Sequence, residues 1–451
     1  MPLPLCLFML VSLGLAPACH GRVLDGAFNQ ARGLVQARPQ TSAGWAALPL
    51  LHAVAGRRPP SATEATVAQT RHPAAALSFI SPMRGHAGVS RKPSNPLRQS
   101  SSSLGTETVL LIMASNRPSY LERCLTHVLR HHPGDAVPIV ISQDGDDEAV
   151  AQVVARAQRH FEATSSVPLR HIHHLVDPRQ RHGNGYARLA QHYRFALDWV
   201  FNASRAHRVI LLEEDLEIAP DFFEYFAATA PLLDADASLL AVSAWNDNGL
   251  RGMAWDPTMI YRSDFFPGLG WMLTRRVWGE LSVKWPDAYW DDWLREPEQR
   301  KGRHTLRPDV CRTLHYGTVG VSHGQYSHYW QRVWLNSEFV QFTAMNLSYI
   351  ASVENWERHY LSAVTAAPMV TPDQFAQLLH EQKSSMMRDV RLVYSHVDGS
   401  ANEPGSFASL ATLVGAMADV KAGVPRTAYK GIVTVHKDKI KVHIVPKGPP
   451  F

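Results

Sequence analysis

Cysteine is scarce in this sequence. The 451 residues include four cysteines, Cys6, Cys19, Cys124 and Cys311, and the first two lie in or next to an apolar N-terminal stretch. The remaining two form neither a Cys-x-x-Cys pair nor any zinc-ligand spacing. The sequence therefore excludes a zinc-finger class and a disulfide-dense scaffold, and the fold must be held together by its hydrophobic core.

Long apolar runs are also missing. After the first two dozen positions no stretch of 18 apolar residues occurs, which excludes a multispanning membrane protein. The run Leu3–Leu15, followed by Ala16-Pro17-Ala18, is typical of a secretory signal, so residues 1–19 are predicted to be a signal or signal-anchor. An Ala-x-Ala pattern before Cys19 suits cleavage, and retention would leave a short anchor. No Lys or Arg precedes the run, and both forms stay open.

Positive charge is lacking where a nucleic-acid-binding surface would need it. The net charge of the chain is +5, but residues 1–100 hold ten basic and two acidic side chains, which leaves the other 351 residues at −3. A protein that grips phosphates carries its basic residues on the folded surface. Nucleic acid is therefore not an expected partner.

Residues 20–105 differ from the rest of the chain in composition. They are rich in Ala, Pro, Ser and Arg and poor in aromatics, as in RRPPSATEATVAQT and RKPSNPLRQSSSSLG. Such a segment cannot bury enough apolar area to offset its conformational entropy, and its basic residues are scattered singly. We interpret it as a stem that tethers a folded domain.

Apolar segments of strand length alternate with amphipathic helices from Thr108 onward. TVLLIMAS precedes PSYLERCLTHVLRHH, whose Leu121, Cys124, Leu125 and Val128 share one face. The alternation continues through PIVISQD, DDEAVAQVVARAQRHFE, PLRHIHHLV, a helix around residues 186–201, and HRVILLEEDLEI. It predicts an α/β fold with a mainly parallel sheet covered on both faces, in which ligands bind beyond the carboxyl ends of the strands.

Polar residues follow several of these strands. Glu213, Glu214 and Asp215 follow the apolar strand RVILL, whereas Arg117 and Asp144 come after the first two strands. Carboxylates at this edge could hold a divalent cation together with substrate phosphates. A solvated acidic turn with an arginine counterion explains the acidic cluster equally well.

Histidine and tryptophan are concentrated in two segments. His171, His173 and His174 cannot converge on one metal if they lie on a strand, since alternate side chains point to opposite faces, whereas His192 on the next helix could reach a nucleotide. Nine of the twelve tryptophans lie between residues 245 and 334, where they could stack on sugars or fill the core. Asp291, framed by aromatics in WPDAYWDDWLR, is expected to have the raised basicity of a general base.

Several sequence blocks carry a resemblance to a known family. ILLEEDLEIAPDFFEYF, AVSAWNDNG, FFPGLGWML, WPDAYWDDWLR, RPDVCRT, GVSHGQ and GVPRTAYKGIVTV occur in order between about residues 107 and 445. They resemble the N-acetylglucosaminyltransferase I family, and residues 1–105 match that family in kind but not in sequence. The resemblance implies a nucleotide-sugar-binding glycosyltransferase A-type fold with a catalytic domain over residues 106–317, a lid and linker over 318–354, and a smaller C-terminal domain over 355–451.

The resemblance also implies an activity. Members transfer N-acetylglucosamine from UDP-GlcNAc, with Mn²⁺, onto the α-1,3-arm mannose of the Man5 N-glycan core on glycoproteins. This inverting β-1,2 transfer begins hybrid and complex N-glycan synthesis. The expected location is the Golgi membrane, with the N-terminal segment as anchor and the catalytic domain in the lumen.

Site residues are carried over from the family by motif. Asp291 falls at the catalytic base and Asp215 at the Mn²⁺ ligand, while Glu213 and Glu214 fall at donor sugar and ribose contacts. The middle acid of the family's strand end is usually Asp, so Glu214 is a departure. The family's UDP-contacting positions align with Arg117, Asp144, His192 and Ser322. The wall of its sugar pocket aligns with Leu269 and Trp290. The lid is expected to close over the donor through Val321 and Ser322.

Two rival functions would be expected to show other sequence features. A protein O-mannose N-acetylglucosaminyltransferase would be expected to carry a folded module where this chain has a stem. An inactive carbohydrate-binding descendant would be expected to have lost Asp215 or Asp291.

The family commonly pairs cysteines at two places, where this chain has Ser115 with Gly145 and Ala241 with Thr305. We therefore expect Cys124 and Cys311 to be free.

Overall fold

The computed structural model describes residues 104–134, 136–175, 184–321, 326–381 and 388–448. All of them belong to one compact unit, residues 89–451. The predicted signal or signal-anchor and nearly all of the predicted stem lie outside the described residues.

The described part of the chain consists of fifteen strands, eleven α-helices and several short 3₁₀ turns. The strands are β1 (Thr108–Ala114), β2 (Ile139–Asp144), β3 (Leu169–His174), β4 (Arg208–Glu213), β5 (Leu216–Ile218), β6 (Leu239–Ser243), β7 (Ile260–Ser263), β8 (Trp271–Thr274), β9 (His304–Pro308), β10 (Thr313–His315), β11 (Arg388–Tyr394), β12 (Val420–Lys421), β13 (Val424–Pro425), β14 (Val433–Lys437) and β15 (Ile440–Pro446). The helices are α1 (Pro118–His131), α2 (Glu148–Glu162), α3 (Gly185–Ala203), α4 (Phe222–Ala235), α5 (Arg275–Leu281), α6 (Trp290–Arg295), α7 (Pro297–Arg300), α8 (Ser327–Trp330), α9 (Val353–Ala366), α10 (Pro372–Glu381) and α11 (Phe407–Val414).

An eight-stranded sheet organises the larger part of the described fold. Its order is β3-β2-β1-β4-β8-β6-β9-β7. The contacts among β3, β2, β1 and β4 are parallel, as is β6 with β9, whereas β8 and β7 run antiparallel to their neighbours. The predicted α/β class with a mainly parallel sheet is confirmed, with two reversed strands that the sequence alternation did not indicate.

Helices cover both faces of this sheet, as the buried strands require. Every residue of β1 is buried, because β1 is a central strand with apolar layers above and below it. On one face the predicted stripe of α1 is confirmed: Leu121, Cys124, Leu125 and Val128 are its buried residues and pack in one core with residues of α2 and α4. Side chains of α3, α5 and α6 form the core on the other face.

The acidic segment breaks the strand that carries it. β4 ends at Glu213, and the chain turns through Glu214 and Asp215 before β5 begins in a separate two-stranded sheet. β5 pairs antiparallel with β10, so that His315 lies opposite Leu216. Three carboxylates therefore end β4, and a partner strand reaches them from residues about 100 positions later.

A buried ion pair anchors the start of β10. The Arg312 guanidinium donates to Asp221, next to α4, through its Nη2 atom at 2.9 Å, and both side chains are fully buried. Asn336 donates a further hydrogen bond to the same carboxylate at 2.9 Å. A buried charge pair tolerates desolvation only when such additional hydrogen bonds are present, so the position of β10 is tightly fixed.

The C-terminal part contributes a sheet of its own. β11 pairs parallel with β15, and β15 pairs antiparallel with β14. The apolar residues of these strands pack with α11 and with Trp245 and Leu250 of the region that follows β6. The smaller C-terminal sheet is thus present, and the domain boundary at residue 355 stays a prediction. In the described part of the chain, no helix is both long and apolar enough to cross a bilayer.

Both described cysteines are buried and free. Cys124 faces the core beneath α1, and the Cys311 thiol lies against the backbone oxygens of Asn246 and Gly249. Ala241 and Thr305, where the resembled family places one cysteine pair, are register partners on β6 and β9. The pairing of β6 with β9 thus holds these two positions together without a disulfide.

We expect the chain to retain its full activity in reducing agent, because no disulfide joins the described residues. Alkylation of the denatured, unreduced protein followed by peptide mapping should find Cys124 and Cys311 both modified. A bridged Cys124–Cys311 peptide would contradict this.

Candidate active site

A cleft opens at the carboxyl ends of β1 and β2, the edge at which the sequence places polar residues. Its volume is about 270 Å³. Polar and charged side chains dominate its lining: Ser115, Asn116, Asp144, Gly145, Asp146, Asp147, His174, Arg188 and Gln191. A parallel sheet leaves such a crevice beyond its strand ends, so this is the expected place for a ligand.

Arg117 joins the first strand end to the acidic turn. Its Nε atom donates to Glu214 Oε1 at 2.7 Å, and its Nη1 atom donates to Asp215 Oδ2 at 2.9 Å. The Ser115 backbone N–H donates to the other Glu214 oxygen at 3.1 Å. Each oxygen of Glu214 therefore already accepts a hydrogen bond from the protein, and the ribose contact expected from the resemblance stays a prediction.

Tyr193 satisfies the first carboxylate of the turn. Its hydroxyl donates to Glu213 Oε1 at 2.8 Å. Desolvation of the carboxyl group, reinforced by the charge of Asp215, raises the pKa of Glu213 to about 7. Desolvation also raises the pKa of Tyr193, to which the charges of Glu213, Asp215 and Asp291 all add. Tyr193 thus lies within electrostatic reach of both the acidic turn and Asp291.

Asp215 has the properties of a cation ligand. Burial opposes ionisation, but His315 and Arg117 hold the pKa of Asp215 below its ordinary value. Its Oδ1 atom is buried and has no hydrogen-bond partner among the described residues. Native proteins rarely leave a buried carboxylate oxygen unpaired, so this atom is suited to a metal ion.

The described residues offer no group of three or more His, Cys, Asp or Glu side chains arranged to hold a metal. A cation at Asp215 would therefore draw most of its ligands from a bound diphosphate and water. That is the usual mode for Mg²⁺-like ions, which bind through one or two carboxylates plus substrate phosphates. The residues present fit such an ion.

The three histidines of β3 lie on the faces that the sequence predicted. His171 and His173 do share one face of β3, with ring centroids 4.1 Å apart. His174, on the opposite face, contacts Asp144 Oδ1 through Nδ1 at 2.8 Å and lines the cleft. His192 is buried, contacts Ser142 Oγ at 2.8 Å, and stacks behind His174 at a centroid distance of 5.5 Å.

Burial lowers the pKa of His192 to about 4, so the ring is neutral near pH 7. Burial opposes the ionisation of Asp144, but the hydrogen bond from His174, together with the nearby histidine and arginine charges, lowers the pKa of Asp144. Asp144 is thus a charged wall of the cleft, and His192 supports His174 from behind.

Asp291 lies in a polar setting. Its side chain is 41% exposed, and its Oδ2 atom accepts a hydrogen bond from Arg295 Nη1 at 2.8 Å. The same nitrogen reaches Asp292 Oδ1 at 2.8 Å, and Lys421 Nζ lies 3.3 Å from Asp292 Oδ2. The aromatic enclosure expected to raise the basicity of Asp291 is not present, because Trp290 turns inward while Asp291 faces solvent and a cation.

Most of the tryptophans in this region belong to the core. Trp290 is buried and stacks against Trp271 and Trp285 with ring centroids 5.7 and 5.9 Å away, and it also lies 4.4 Å from the ring of Tyr193. The sequence left sugar stacking and core packing as equal explanations for the many tryptophans, and core packing accounts for Trp271, Trp285 and Trp290. Trp290 fixes the start of α6, and α6 presents Asp291.

Leu269 adopts a strained backbone conformation beside the site. Its φ is 51°, between Gly268 at 70° and Gly270 at 90°, so three successive residues are left-handed. The hydroxyl of Thr313 donates to the Leu269 carbonyl at 2.6 Å, and a Cβ on Gly270 would lie 2.6 Å from Thr313 Cγ2. Such strain persists only where neighbours enforce it and is concentrated at functional sites.

The start of the predicted lid lies against the acidic turn. The Val319 carbonyl accepts a hydrogen bond from Arg117 Nη1 at 2.8 Å, and the Tyr120 hydroxyl is 3.2 Å from Thr318 Oγ1. Val321 packs beside Gly185, where an added Cβ would lie 2.8 Å from its Cγ2. Ser322 lies outside the described residues, and the closing motion stays a prediction.

The structure therefore brings Arg117, Glu213, Glu214 and Asp215 together at one strand end, with Asp144 across the cleft. Sequence reasoning missed four residues of the site: Tyr193, His174, Arg295 and His315. Tyr193 and His315 act through partners distant in sequence, and no local pattern marks them. Arg295 was missed although it pairs with Asp291 and Asp292 at the local helical spacings i,i+4 and i,i+3. His174 was set aside together with its neighbours, although its opposite face placed it beside Asp144.

Gly317 leaves room for the Asp215 side chain. A Cβ at this position would lie 2.4 Å from Asp215 Oδ2, closer than real Cβ contacts allow. We expect Gly317→Ala to displace the carboxylate and to weaken binding of UDP-GlcNAc with Mn²⁺ by at least about tenfold in calorimetry.

Gly320→Ala is the matched control, since its Cβ would meet only Arg117 Nη1 at an ordinary 3.5 Å. Equal donor affinity in the two variants would show that the fit between Gly317 and Asp215 is unimportant.

Comparisons with known proteins agree on the class of this chain. The sequence pattern of the GNT-I family matches residues 80–449. An Arabidopsis thaliana protein named alpha-1,3-mannosyl-glycoprotein 2-beta-N-acetylglucosaminyltransferase is 42% identical over 332 residues, which cover 72% of this chain and 70% of that protein.

Solved structures give looser likenesses. A mannosyltransferase from Pyrobaculum calidifontis, in complex with GDP-Man and Mn²⁺, is 16% identical with a TM-score of 0.34, covering 50% of this chain and 59% of its own. Residues 1–349 of S. aureus TarS in complex with UDP are 13% identical with a TM-score of 0.34, covering 57% and 73%. At these scores neither bears on the function of this chain.

The family match spans both the main sheet with its acidic turn and the C-terminal sheet, and the expected glycosyltransferase A-type fold is confirmed. On the length of that match and the 42% identity of the Arabidopsis thaliana relative, this chain belongs to the GNT-I family.

Proposed function

We propose that this protein transfers N-acetylglucosamine from UDP-GlcNAc to the α-1,3-arm mannose of the Man5 N-glycan core, in β-1,2 linkage and with inversion. The acceptors are high-mannose N-glycans on glycoproteins. The reaction commits these glycans to hybrid and complex forms. Family membership supports this class of reaction.

One observation carries the proposal at the level of the site. The last carboxylate of the acidic turn keeps a buried oxygen, Asp215 Oδ1, without a partner among the described residues, although Arg117 and His315 lie against its other oxygen. A site built to receive a cation with a diphosphate would leave one oxygen of such a carboxylate open.

The residues present suit Mn²⁺. Asp215 would hold the ion through Oδ1, and the donor diphosphate would supply further oxygen ligands. When bound, the ion would offset the negative charge that develops on the departing UDP.

Asp291 acts as the base in this proposal. Inversion by a single displacement requires one group to accept the proton of the attacking mannose hydroxyl. Arg295 occupies Asp291 Oδ2, so Oδ1 is the oxygen that accepts the proton. Arg295 also keeps the side chain oriented, and its own guanidinium is fixed by a hydrogen bond to the Phe266 carbonyl at 2.9 Å.

Arg117 and the cleft bind and orient the donor. In the structure Arg117 is shared between Glu214 and Asp215. With a cation beside Asp215, its guanidinium is available to the diphosphate, which it suits through paired N–H donors. Asp144 and His174 line the part of the cleft assigned to the nucleoside.

We further propose that the protein works in the Golgi lumen, held to the membrane through residues 1–19. Asp215 and Asp291 are both present, which disfavours an inactive carbohydrate-binding descendant. The remaining rival acts on protein O-mannose.

A transfer assay separates these possibilities. The full chain, with UDP-GlcNAc and Mn²⁺, should modify a Man5 N-glycan and leave an O-mannosyl peptide unmodified. Transfer to the O-mannosyl peptide alone would replace the acceptor assignment, and no transfer to either would overturn the enzymatic function.

Asp291→Asn should lower kcat by about 10² to 10⁴, because the amide cannot accept the hydroxyl proton, while UDP-GlcNAc affinity changes little. Steady-state kinetics and donor calorimetry measure the two effects. Asp292→Asn, which keeps an oxygen for Arg295, is the matched control. Retention of more than about a tenth of kcat in Asp291→Asn would remove Asp291 from the role of base.

Asp215→Asn should weaken Mn²⁺-dependent UDP-GlcNAc binding by about 10- to 100-fold or more, because the amide supplies no anionic ligand to the ion. Calorimetry with and without Mn²⁺ tests this. Glu217→Gln serves as control, since Glu217 lies two residues after Asp215, on β5, and pairs with Arg123 of α1 at 2.6 Å. Unchanged affinity in Asp215→Asn would mean that the acidic turn is purely structural.

A further inference from the structure

A histidine lies beside the proposed cation ligand. His315 Nε2 is 3.4 Å from Asp215 Oδ2, beyond the usual length of an N–H···O hydrogen bond. His315 Nδ1 is buried and has no hydrogen-bond partner among the described residues. Asp215 Oδ1 is in the same condition. Two adjacent side chains thus each have a buried polar atom without a partner, which folded proteins avoid unless a ligand supplies the missing partner.

The backbone fixes His315 in this position. β10 pairs with β5 so that His315 lies opposite Leu216, the residue after Asp215. The next residue strengthens the pairing, since the Tyr316 N–H donates to the Asp215 carbonyl at 3.1 Å. The Trp330 ring, 5.8 Å away, packs near the imidazole. A ligand on a paired strand with a neighbouring ring is preorganised.

The separation of the two side chains suits a shared ion. Ligand atoms about 2.0 to 2.2 Å from one metal, at angles of about 90 to 109°, lie about 2.8 to 3.6 Å apart. The 3.4 Å between His315 Nε2 and Asp215 Oδ2 falls within this range, so the imidazole lies at this distance from the carboxylate whose other oxygen, Oδ1, is the proposed ligand atom. Gly317 packs closely against the same carboxylate, since a Cβ there would lie 2.4 Å from Asp215 Oδ2.

An ordinary ion pair explains these contacts less well. Arg117 already supplies Asp215 Oδ2 with a cation at 2.9 Å, so that oxygen has a partner without His315. An ordinary ion pair would also leave His315 Nδ1 and Asp215 Oδ1 both unsatisfied.

We propose that His315 is a second protein ligand of the divalent ion, which it binds through an imidazole nitrogen beside the Asp215 carboxylate. The inference rests on the proposed function, because it assumes a cation at Asp215. Imidazole nitrogen favours transition-metal ions, whereas Mg²⁺ prefers oxygen. His315 therefore sets a preference of this chain for Mn²⁺ over Mg²⁺.

Pulsed electron paramagnetic resonance of Mn²⁺ tests the assignment directly. The full chain is loaded with Mn²⁺ and UDP, with histidine labelled by ¹⁵N in a parallel sample. Wild type should show coupling to a directly bound histidine nitrogen, and His315→Asn should lose it. Calorimetry should show Mn²⁺ affinity in the presence of UDP falling by at least about tenfold in His315→Asn, with Mg²⁺ affinity changing less than about threefold.

His127→Asn is the matched control, because His127 Nε2 lies 3.5 Å from Glu217 Oε1 in an ordinary histidine–carboxylate contact. It should keep both the nitrogen coupling and the affinity. Thermal melting shows whether each variant is folded. The wild-type spectrum tests the ligand assignment even if a variant does not fold.

The outcomes separate the two proposals. Mn²⁺ binding without histidine coupling, or coupling that persists in His315→Asn, overturns the ligand assignment and leaves the proposed function standing. Failure of wild type to bind Mn²⁺ with UDP overturns the proposed function together with the assignment.

Discussion

The desolvation of three successive carboxylates at the end of β4 is the constraint on which the surrounding structure depends. Each needs a partner in a place that water reaches poorly, and the partners come from different elements. Arg117 enters from the start of α1, Tyr193 from α3, and His315 from β10. Because these donors hold the turn in one geometry, an arrangement of carboxylates that is costly in isolation is stable at this strand end.

The same turn connects the main sheet to later parts of the chain. β5 leaves the eight-stranded sheet to pair with β10, whose start is anchored by the buried Arg312–Asp221 pair. Lys421, on the β12–β13 hairpin, lies against Asp292 of α6 and so extends the contacts of the helix that carries Asp291. The proposed metal ligands and the proposed base are thus held by contacts among residues between 108 and 421. For this reason the site cannot be assigned to a short segment.

Much of the fold could be predicted from local patterns. The buried stripe of α1 matched its four predicted residues, and the strands β1 to β4 appeared in the predicted order with parallel pairing. Period-3.6 and continuous apolar patterns report burial directly, so these elements needed no tertiary information. The two reversed strands, β7 and β8, were not predicted, because strand direction depends on how the chain returns to the sheet rather than on the residues of the strand.

The site was only partly predictable, for a related reason. The sequence placed Glu213, Glu214, Asp215, Arg117 and Asp144 at strand ends, since strand ends follow from the same apolar patterns. It misjudged the surroundings of Asp291, whose flanking Trp290 points into the core while Arg295, four residues later on α6, turns back to it.

The sequence by itself determined the α/β class, the acidic strand end and the family of this chain, because these reside in contiguous residues. Only the tertiary structure decided which donors meet those acids. It placed His174 in the cleft with His192 behind it, and it brought His315 to Asp215 across 100 positions of chain. Contacts of this kind depend on strand pairing and side-chain direction, which local composition does not encode.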